Sequence, residues 1–341
     1  MRSMAAALGP CREEDVPELL RFLNDHWKRG HAFTVSRPLF DWQHRENDGA
    51  YSFVLARRGR DGEIVGILGF LPTRHFDPAL AGANTIWLTT WKVRDDAGDA
   101  GLGLRMLRFL TEREPHVAVG AITTHAALQP MYARLGYATG ELQHYVMGAE
   151  VRLKPDMTAT VVQAPVASGL SRTSLLRAEP FDEPYAFEAP ACRGKTTRYI
   201  VGRYVNHPIY RYGVHALADE TGTKAFLVTR VAEHAGRRTL RVVDFVGAPG
   251  LFAGTGPALQ TLIEDHGADD ADVYNAGIDP SVFATAGFTL VDPEGPLVVP
   301  DHFEPFEHRN VRLWYAMKSN STPILFKGDA DQDRPSQVAS S

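Results

Sequence analysis

The chain has 341 residues, 44% hydrophobic and 23% charged, which supplies a packed core and length enough for two domains. It carries 36 lysines and arginines against 41 acids, a net charge of −5, and no basic stripe, which argues against nucleic acid and an anionic membrane as partners. Two cysteines, Cys11 and Cys192, make neither a disulfide framework nor a metal set.

Met1–Pro10 holds one arginine and too short an apolar run for a signal peptide, and no run approaches a membrane span, so a cytoplasmic protein is expected. Glu13–Trp27 predicts a helix with Val16, Leu19, Leu20 and Leu23 on one face. Tyr51–Arg57 and Glu63–Leu71 alternate as strands around Arg58-Gly59-Arg60-Asp61-Gly62, a hairpin signal. Ile86–Val93 is the next strand. It feeds a loop, Gly98-Asp99-Ala100-Gly101-Leu102-Gly103, that opens an amphipathic helix, Leu102–Arg113. Glycines let backbone N–H groups approach a ligand with no Cβ in the way, and a helix N-terminus adds unpaired donors and a positive dipole end. Together they predict a pyrophosphate cradle at Gly98, Ala100, Gly101, Leu102, Gly103 and Leu104. His116–Thr123 follows as a strand, Leu128–Leu135 as a short helix stopped by Gly136, and Tyr137–Met147 as a strand.

Prolines at 155, 165, 180, 184 and 190 break the stretch after residue 148, which reads as a linker with one strand near Met157–Gln163. Beyond it the plan recurs. Asp219-Glu220-Thr221-Gly222 is a turn, Leu240–Val246 a strand, and Gly250 to Gly256 a glycine-rich turn. Pro257–His266 is a helix, Val273–Ile278 a strand and Ser281–Ala286 a short helix. Ten residues separate Val93 from Gly103, and ten separate Val246 from Gly256. The sequence therefore divides into a first copy (1–150), a linker (151–195), a second copy (196–320) and an acidic tail (321–341). The second copy is damaged. Pro257 stands where the first has Leu104 and removes a donor, and Phe283 stands where the first has Tyr132.

The first copy resembles the GCN5-related N-acetyltransferase (GNAT) superfamily. The family's Arg/Gln-x-x-Gly-x-Gly/Ala signature reads Gly98-Asp99-Ala100-Gly101-Leu102-Gly103, with Gly98 departing at the first position. Its later Asn-x-x-Ala-x-x-hydrophobic-Tyr signature reads His125 to Tyr132, followed by Gly136-Tyr137. The resemblance implies an α/β mixed sheet, two tandem GNAT-like folds with the C-terminal one degenerate, and acyl-CoA as donor. It implies that backbone groups at Trp91 and Val93 hold the pantetheine arm and the thioester carbonyl. Short segments, Phe40-Asp41-Trp42-Gln43 and Phe326 to Pro335, are similar to tandem acetyltransferase-like proteins of bacterial surface-polysaccharide gene sets, which implies a nucleotide-linked amino sugar as acceptor.

Amide formation from a thioester needs a neutral amine, a polarised carbonyl and a proton for the leaving thiolate. Tyr132 is the expected acid. The base is sought among His125, His31, His75 and Asp41, with His125 preferred, and a bound water is the other route. Trp42, Trp87 and Thr89 join His31 and Asp41 as expected acceptor-side residues, and strict alternation places Trp87, Thr89 and Trp91 on one strand face. Asp329-x-Asp331-x-Asp333 begins like an EF-hand loop, but Arg334 takes the required glycine's place, so no metal is expected. Asp329 and Asp331 either hold the acceptor's ammonium or belong to a solvated tail. The reading is an N-acyltransferase acting by direct attack. The rivals are a non-catalytic CoA- or peptide-binding module and a transferase with an aminoacyl-tRNA donor. Acyl length, acceptor identity and oligomeric state stay open.

Overall fold

The computed structural model describes residues 5–59, 62–148, 175–180, 195–234, 236–299 and 309–333. Most of the linker, including the strand expected near 157–163, lies outside the described residues, as does the 336–341 stub. The described chain is α/β and packs as two compact units. One runs to Ala121 and takes in His207–Ile209. The other runs from Ile122 to Asn206 and resumes at Tyr210. The packing boundary thus falls at 121/122, whereas the repeat edge read from sequence falls at 150.

In the first unit come β1 (Ala7–Cys11), α1 (Val16–Phe22), α2 (Ala32–Val35), α3 (Arg37–His44), β2 (Tyr51–Arg57), β3 (Ile64–Pro72), β4 (Thr85–Val93), α4 (Leu102–Arg113) and the start of β5 (Ala118–Thr124). Helical backbone extends from Glu13 to Trp27 as expected, tightened in its first turn and widened in its last. β1 to β4 are antiparallel neighbours in sequence order, and β5 joins β4 in parallel. Val16, Leu19 and Leu23 pack with Phe33 and Phe40 against Phe53, Leu55 and Ile67 on one sheet face. Gly66, adjacent to Ile67, points to the other face, where the Met106 sulfur of α4 sits 3.1 Å from the place of a Gly66 Cβ.

The second unit contains α5 (Gln129–Arg134), β6 (Ala138–Gly148), β7 (Arg177–Pro180), α6 (Thr197–Ile200), β8 (Gly213–Asp219), β9 (Gly222–His234) and β10 (Arg237–Val246). It continues with α7 (Gly256–Asp265), β11 (Asp270–Ala276), α8 (Pro280–Thr285), β12 (Thr289–Leu290), β13 (Leu313–Ser319) and β14 (Leu325–Phe326). β7 falls within the stretch read as a linker and pairs with β8 at the end of the strand order, a place where a proline disturbs no second ladder. β8, β9 and β10 are antiparallel and β11 joins β10 in parallel, repeating the order of β2 to β5. β6 serves several partners. Its first half pairs with β13, its second half with β11, and Tyr145 and Val146 also pair with β12.

Candidate functional site

The β4 edge is the first element of the site. β3 and β4 are in register at Leu68↔Trp91 and again at Phe70↔Leu88, so one extra residue of β4 bulges out around Thr89 and Thr90. The bulge changes the phase of the strand. Trp87 lies opposite Leu71 and Trp91 opposite Leu68, and Leu68 and Leu71 point to opposite faces. The expectation that Trp87, Thr89 and Trp91 share a face is therefore corrected. Thr89 stands beside Phe53, on the α1–α3 face, whereas the Trp91 indole packs on Gly103 of α4, 3.2 Å from where a Cβ there would be. Past the bulge, Arg94 donates its N–H to the Val65 carbonyl at 2.9 Å. In antiparallel alternation this turns the backbone groups of Trp91 and Val93 away from β3. On that side, among the described residues, β5 pairs with β4 only from Thr85↔Ala118 to Trp87↔Gly120. The two strands part where Trp91 and Val93 present their backbone.

The glycine loop is the second element. Gly98 and Gly101 adopt φ of 65° and 77°, the left-handed region, and Gly101 caps α4. A Cβ at either would meet nothing within 4 Å, so this side of the loop is open. Leu102 donates to the Asp99 carbonyl at 3.2 Å, and helix geometry leaves the N–H groups of Gly103 and Leu104 without an acceptor inside α4. These donors fit a diphosphate. The side-chain charge around them is already neutralised. Arg105 clasps Asp99 at 2.7 and 2.8 Å and thereby holds that carboxyl below its ordinary range. Arg94 pairs with Asp96 at 2.6 Å, and Lys92 with Asp95 at 3.3 Å. Backbone donors and the α4 dipole therefore carry whatever anion affinity the loop has.

On the α1–α3 face, His31 caps α2, its Nδ1 accepting from the Phe33 N–H at 3.3 Å. Asp41 accepts from Arg37 at 2.7 Å, and the Tyr51 hydroxyl lies 2.8 Å from it. Trp42 sits between Phe76 and His207, with ring centroids at 5.3 and 4.4 Å. His75 Nε2 donates to the Trp42 carbonyl at 2.8 Å, so a neutral ring keeps its lone pair on Nδ1. Trp87 is buried. Thr89 Oγ1 is buried and, among the described residues, accepts and donates no hydrogen bond. The first unit also holds a cavity of about 440 Å³, lined by Glu46, Tyr51, Phe70, Arg74, Phe109 and Glu114 among others and by none of the predicted residues.

Tyr132 and His125 belong to the second unit. Tyr132, in α5, is 2% exposed and meets Tyr137 edge-on at 5.2 Å; burial pushes its phenol well above the ordinary range, so it stays protonated at neutral pH. His125 caps the turn before α5, its Nδ1 accepting from the Ala127 N–H at 3.2 Å, and so commits the lone pair a base would use. Phe283, the counterpart of Tyr132, is fully buried and stacks on Tyr145 at 4.1 Å.

The second unit repeats the parting of strands, and there the gap is filled. β9 and β10 shift register between Val242 and Asp244, and β10 follows β11 only from Thr239↔Asp270 to Val242↔Val273. β14 then takes β11, pairing Asn275↔Phe326 and Ala276↔Leu325. The described tail is therefore not a solvated stub, which corrects that reading of it. Asp329 is 2% exposed; one oxygen takes Lys195 Nζ at 2.6 Å and the other the Phe326 N–H at 2.7 Å. Both oxygens are engaged by the chain's own groups, against the expectation that they receive an acceptor's ammonium. Asp331 is half-buried at φ 59°, with Gln332 donating to its carboxylate at 2.9 Å. Burial works to lower the Lys195 pKa, but Asp244, also at 2.6 Å, and Asp329 reverse that and keep the ammonium charged. Lys195, Arg203, Tyr204 and Asp244 escaped sequence reading because partners such as Arg203 and Asp333 lie 130 residues apart.

No family model matches the chain and no curated protein matches it. Solved structures do. A GCN5-related N-acetyltransferase from Anabaena variabilis superposes with a TM-score of 0.52 at 12% identity, covering 92% of this chain and 72% of that one. A conserved Enterococcus faecalis protein, described as of unknown function and as an N-acyltransferase candidate, gives 0.52 at 11%, covering 93% and 73%. At these identities the likeness shows the fold: this chain has a GNAT-like α/β fold.

Proposed function

We propose that the chain is an N-acyltransferase that takes its acyl group from acyl-CoA, held in the first copy. The observation that carries this reading is one arrangement: a bulged β4, a departing β5, and a glycine-capped helix whose N-terminus follows from β4. The N–H groups of Gly103 and Leu104 face the diphosphate, with Gly98, Ala100, Gly101 and Leu102 shaping the loop. The backbone of Trp91 and Val93 holds the pantetheine arm and polarises the thioester carbonyl. The acceptor's neutral nitrogen attacks that carbonyl, the C–N bond forms, and the C–S bond breaks. Tyr132 is the assigned proton donor to the thiolate and regains its proton from solvent. The nitrogen's proton leaves through water, or through His125 at the cost of its cap on Ala127. His31, Asp41, Trp42, Trp87 and Thr89 are the proposed acceptor-side residues, and the cytoplasm is the proposed location. We assign the acceptor to nucleotide-linked amino sugars; the similarity of short segments to surface-polysaccharide proteins supports this.

The test is a thiol-release assay with acetyl-CoA over a panel of amines that includes nucleotide-linked amino sugars. Release driven by an amino-sugar nucleotide is expected. Acetyl-CoA binding by calorimetry with no release on any amine returns the chain to the rival reading, a non-catalytic CoA-binding module. The filled groove in the second unit favours the other form of that rival, a peptide-binding module, for the second copy alone.

A further inference from the structure

We propose that the groove between β10 and β11 is a peptide-binding site whose permanent occupant is the chain's own segment 323–333, standing where an acyl donor would lie in an intact copy. The segment enters where the two strands part. Leu325 and Phe326 extend the β11 ladder that β10 abandons, and Phe326 joins Phe245, Phe252 and Val273 in the core. The groove is cut to this peptide. Gly328 lies so close to β10 that a Cβ would come 2.7 Å from the Val243 carbonyl, at the bulge, and 2.7 Å from the Tyr204 hydroxyl. Gly277, at φ 96°, leaves room for the Pro323 carbonyl, which any side chain there would strike.

Polar groups of the segment are met by the groove as those of a ligand would be. Asn275 donates to the Leu325 carbonyl at 2.9 Å, Arg203 to the Gly328 carbonyl at 3.2 Å, and Arg230 to the Asp333 carbonyl at 2.9 Å. Asp329 has Lys195; Asp333 has Arg203 at 2.7 Å and the Tyr212 hydroxyl. The Lys327 ammonium lies over the Tyr274 ring at 5.1 Å. Main-chain pairing supplies affinity and side-chain pockets supply specificity, the logic of strand addition. A nucleotide diphosphate could accept from Lys195 and Arg203, but it offers no main chain to pair with β11 and no ring for the place of Phe326. At the helix end, moreover, Gly256 packs 2.7 Å from the Ala286 carbonyl by the same Cβ measure, and Pro257 offers no N–H. The ligand class of this groove is an extended peptide with an aromatic residue, then a glycine, then an acid.

The inference rests on the two-copy reading but not on acyl transfer, and its test reads peptide retention. A protease site placed at the exposed Ser321–Thr322 junction lets the folded full-length chain be cut. The released-end peptide is expected to stay bound through gel filtration, with or without acetyl-CoA. In the cut chain, Phe326→Ala should speed its loss by about 10²–10³-fold, the scale of one buried aromatic side chain. Departure of the wild-type peptide from a body that keeps its circular dichroism overturns the proposal. Displacement by acetyl-CoA also overturns it, because the groove would then be a donor site. A second arm uses the uncut chain: Gly328→Trp cannot fit beside Val243 and should expose the tail to proteolysis, and unchanged cleavage rates count against the fit. If the cut chain behaves as expected while the amine panel releases no thiol, only the acyltransfer reading fails.

Discussion

At the scale of single residues, the most informative position is Gly101. Its left-handed backbone disfavours any L side chain, typically by about 1 kcal/mol, and a side chain there would project into the open space where a diphosphate would lie. Gly101→Val should abolish acetyl-CoA binding measured by calorimetry while lowering the melting temperature only modestly. Unchanged affinity would remove the loop from the donor site. Tyr132→Phe should reduce turnover by about 10²–10⁴-fold with donor affinity kept, the usual weight of a general acid. Full turnover where chemistry limits the rate would mean that the thiolate takes its proton from water. The counterpart change, Phe283→Tyr, should leave activity alone and cost stability. It places a hydroxyl in a fully buried aromatic stack, where an unmet polar group costs about 1–3 kcal/mol.

At the scale of elements, the bulge of β4 governs which side chains face which helices. Gly69 makes the bulge possible, since a Cβ there would stand 2.7 Å from the Phe53 ring and from Thr89 Oγ1. Gly69→Ala should destabilise the first unit by about 1–3 kcal/mol through overpacking, read as an earlier urea midpoint; an unshifted midpoint would show that Phe53 has room to move. This feature also marks where sequence reading stops. Helix Leu102–Arg113 and strand Tyr51–Arg57 were legible to the residue, because a 3.6 period with a glycine start and a period of two with a turn after it are local signals. The extra residue at Thr89–Thr90 carries no local signature, so alternation was projected through it and misplaced Trp91. The glycine loop and the helix start it makes could be read because they are one local segment. The filling of the second groove could not, because it depends on Phe326 meeting Asn275 and on Arg203 meeting Asp333 across long stretches of chain.

At the scale of the whole molecule, the tail and the residues that receive it form a stabilising network in the second unit. Arg203 and Asp333 are both fully buried and paired at 2.7 Å. Removing one partner of such a pair leaves an uncompensated charge and typically costs 3–5 kcal/mol, on the order of half a domain's total stability. Arg203→Met should therefore lower the unfolding midpoint sharply, and Arg203→Met with Asp333→Leu should recover much of the loss. A single variant as stable as the parent would mean that solvent reaches Asp333.

The many partners of β6 bear on how the chain is made. Glu141, in the half of β6 that pairs with β13, lies 171 positions before its ion-pair partner Arg312, which flanks β13. A ribosome adding about 5–20 residues per second leaves that edge unpaired for on the order of 10–30 seconds after β6 emerges. During that interval the nascent chain exposes Leu142, while Tyr145, Val146 and Met147 wait for the earlier β11 and β12; all four are buried in the finished protein. Synthesis at a lower temperature, or with an excess of a holding chaperone, should raise the soluble yield of the whole chain. A fragment stopped at residue 150 should aggregate through this strand.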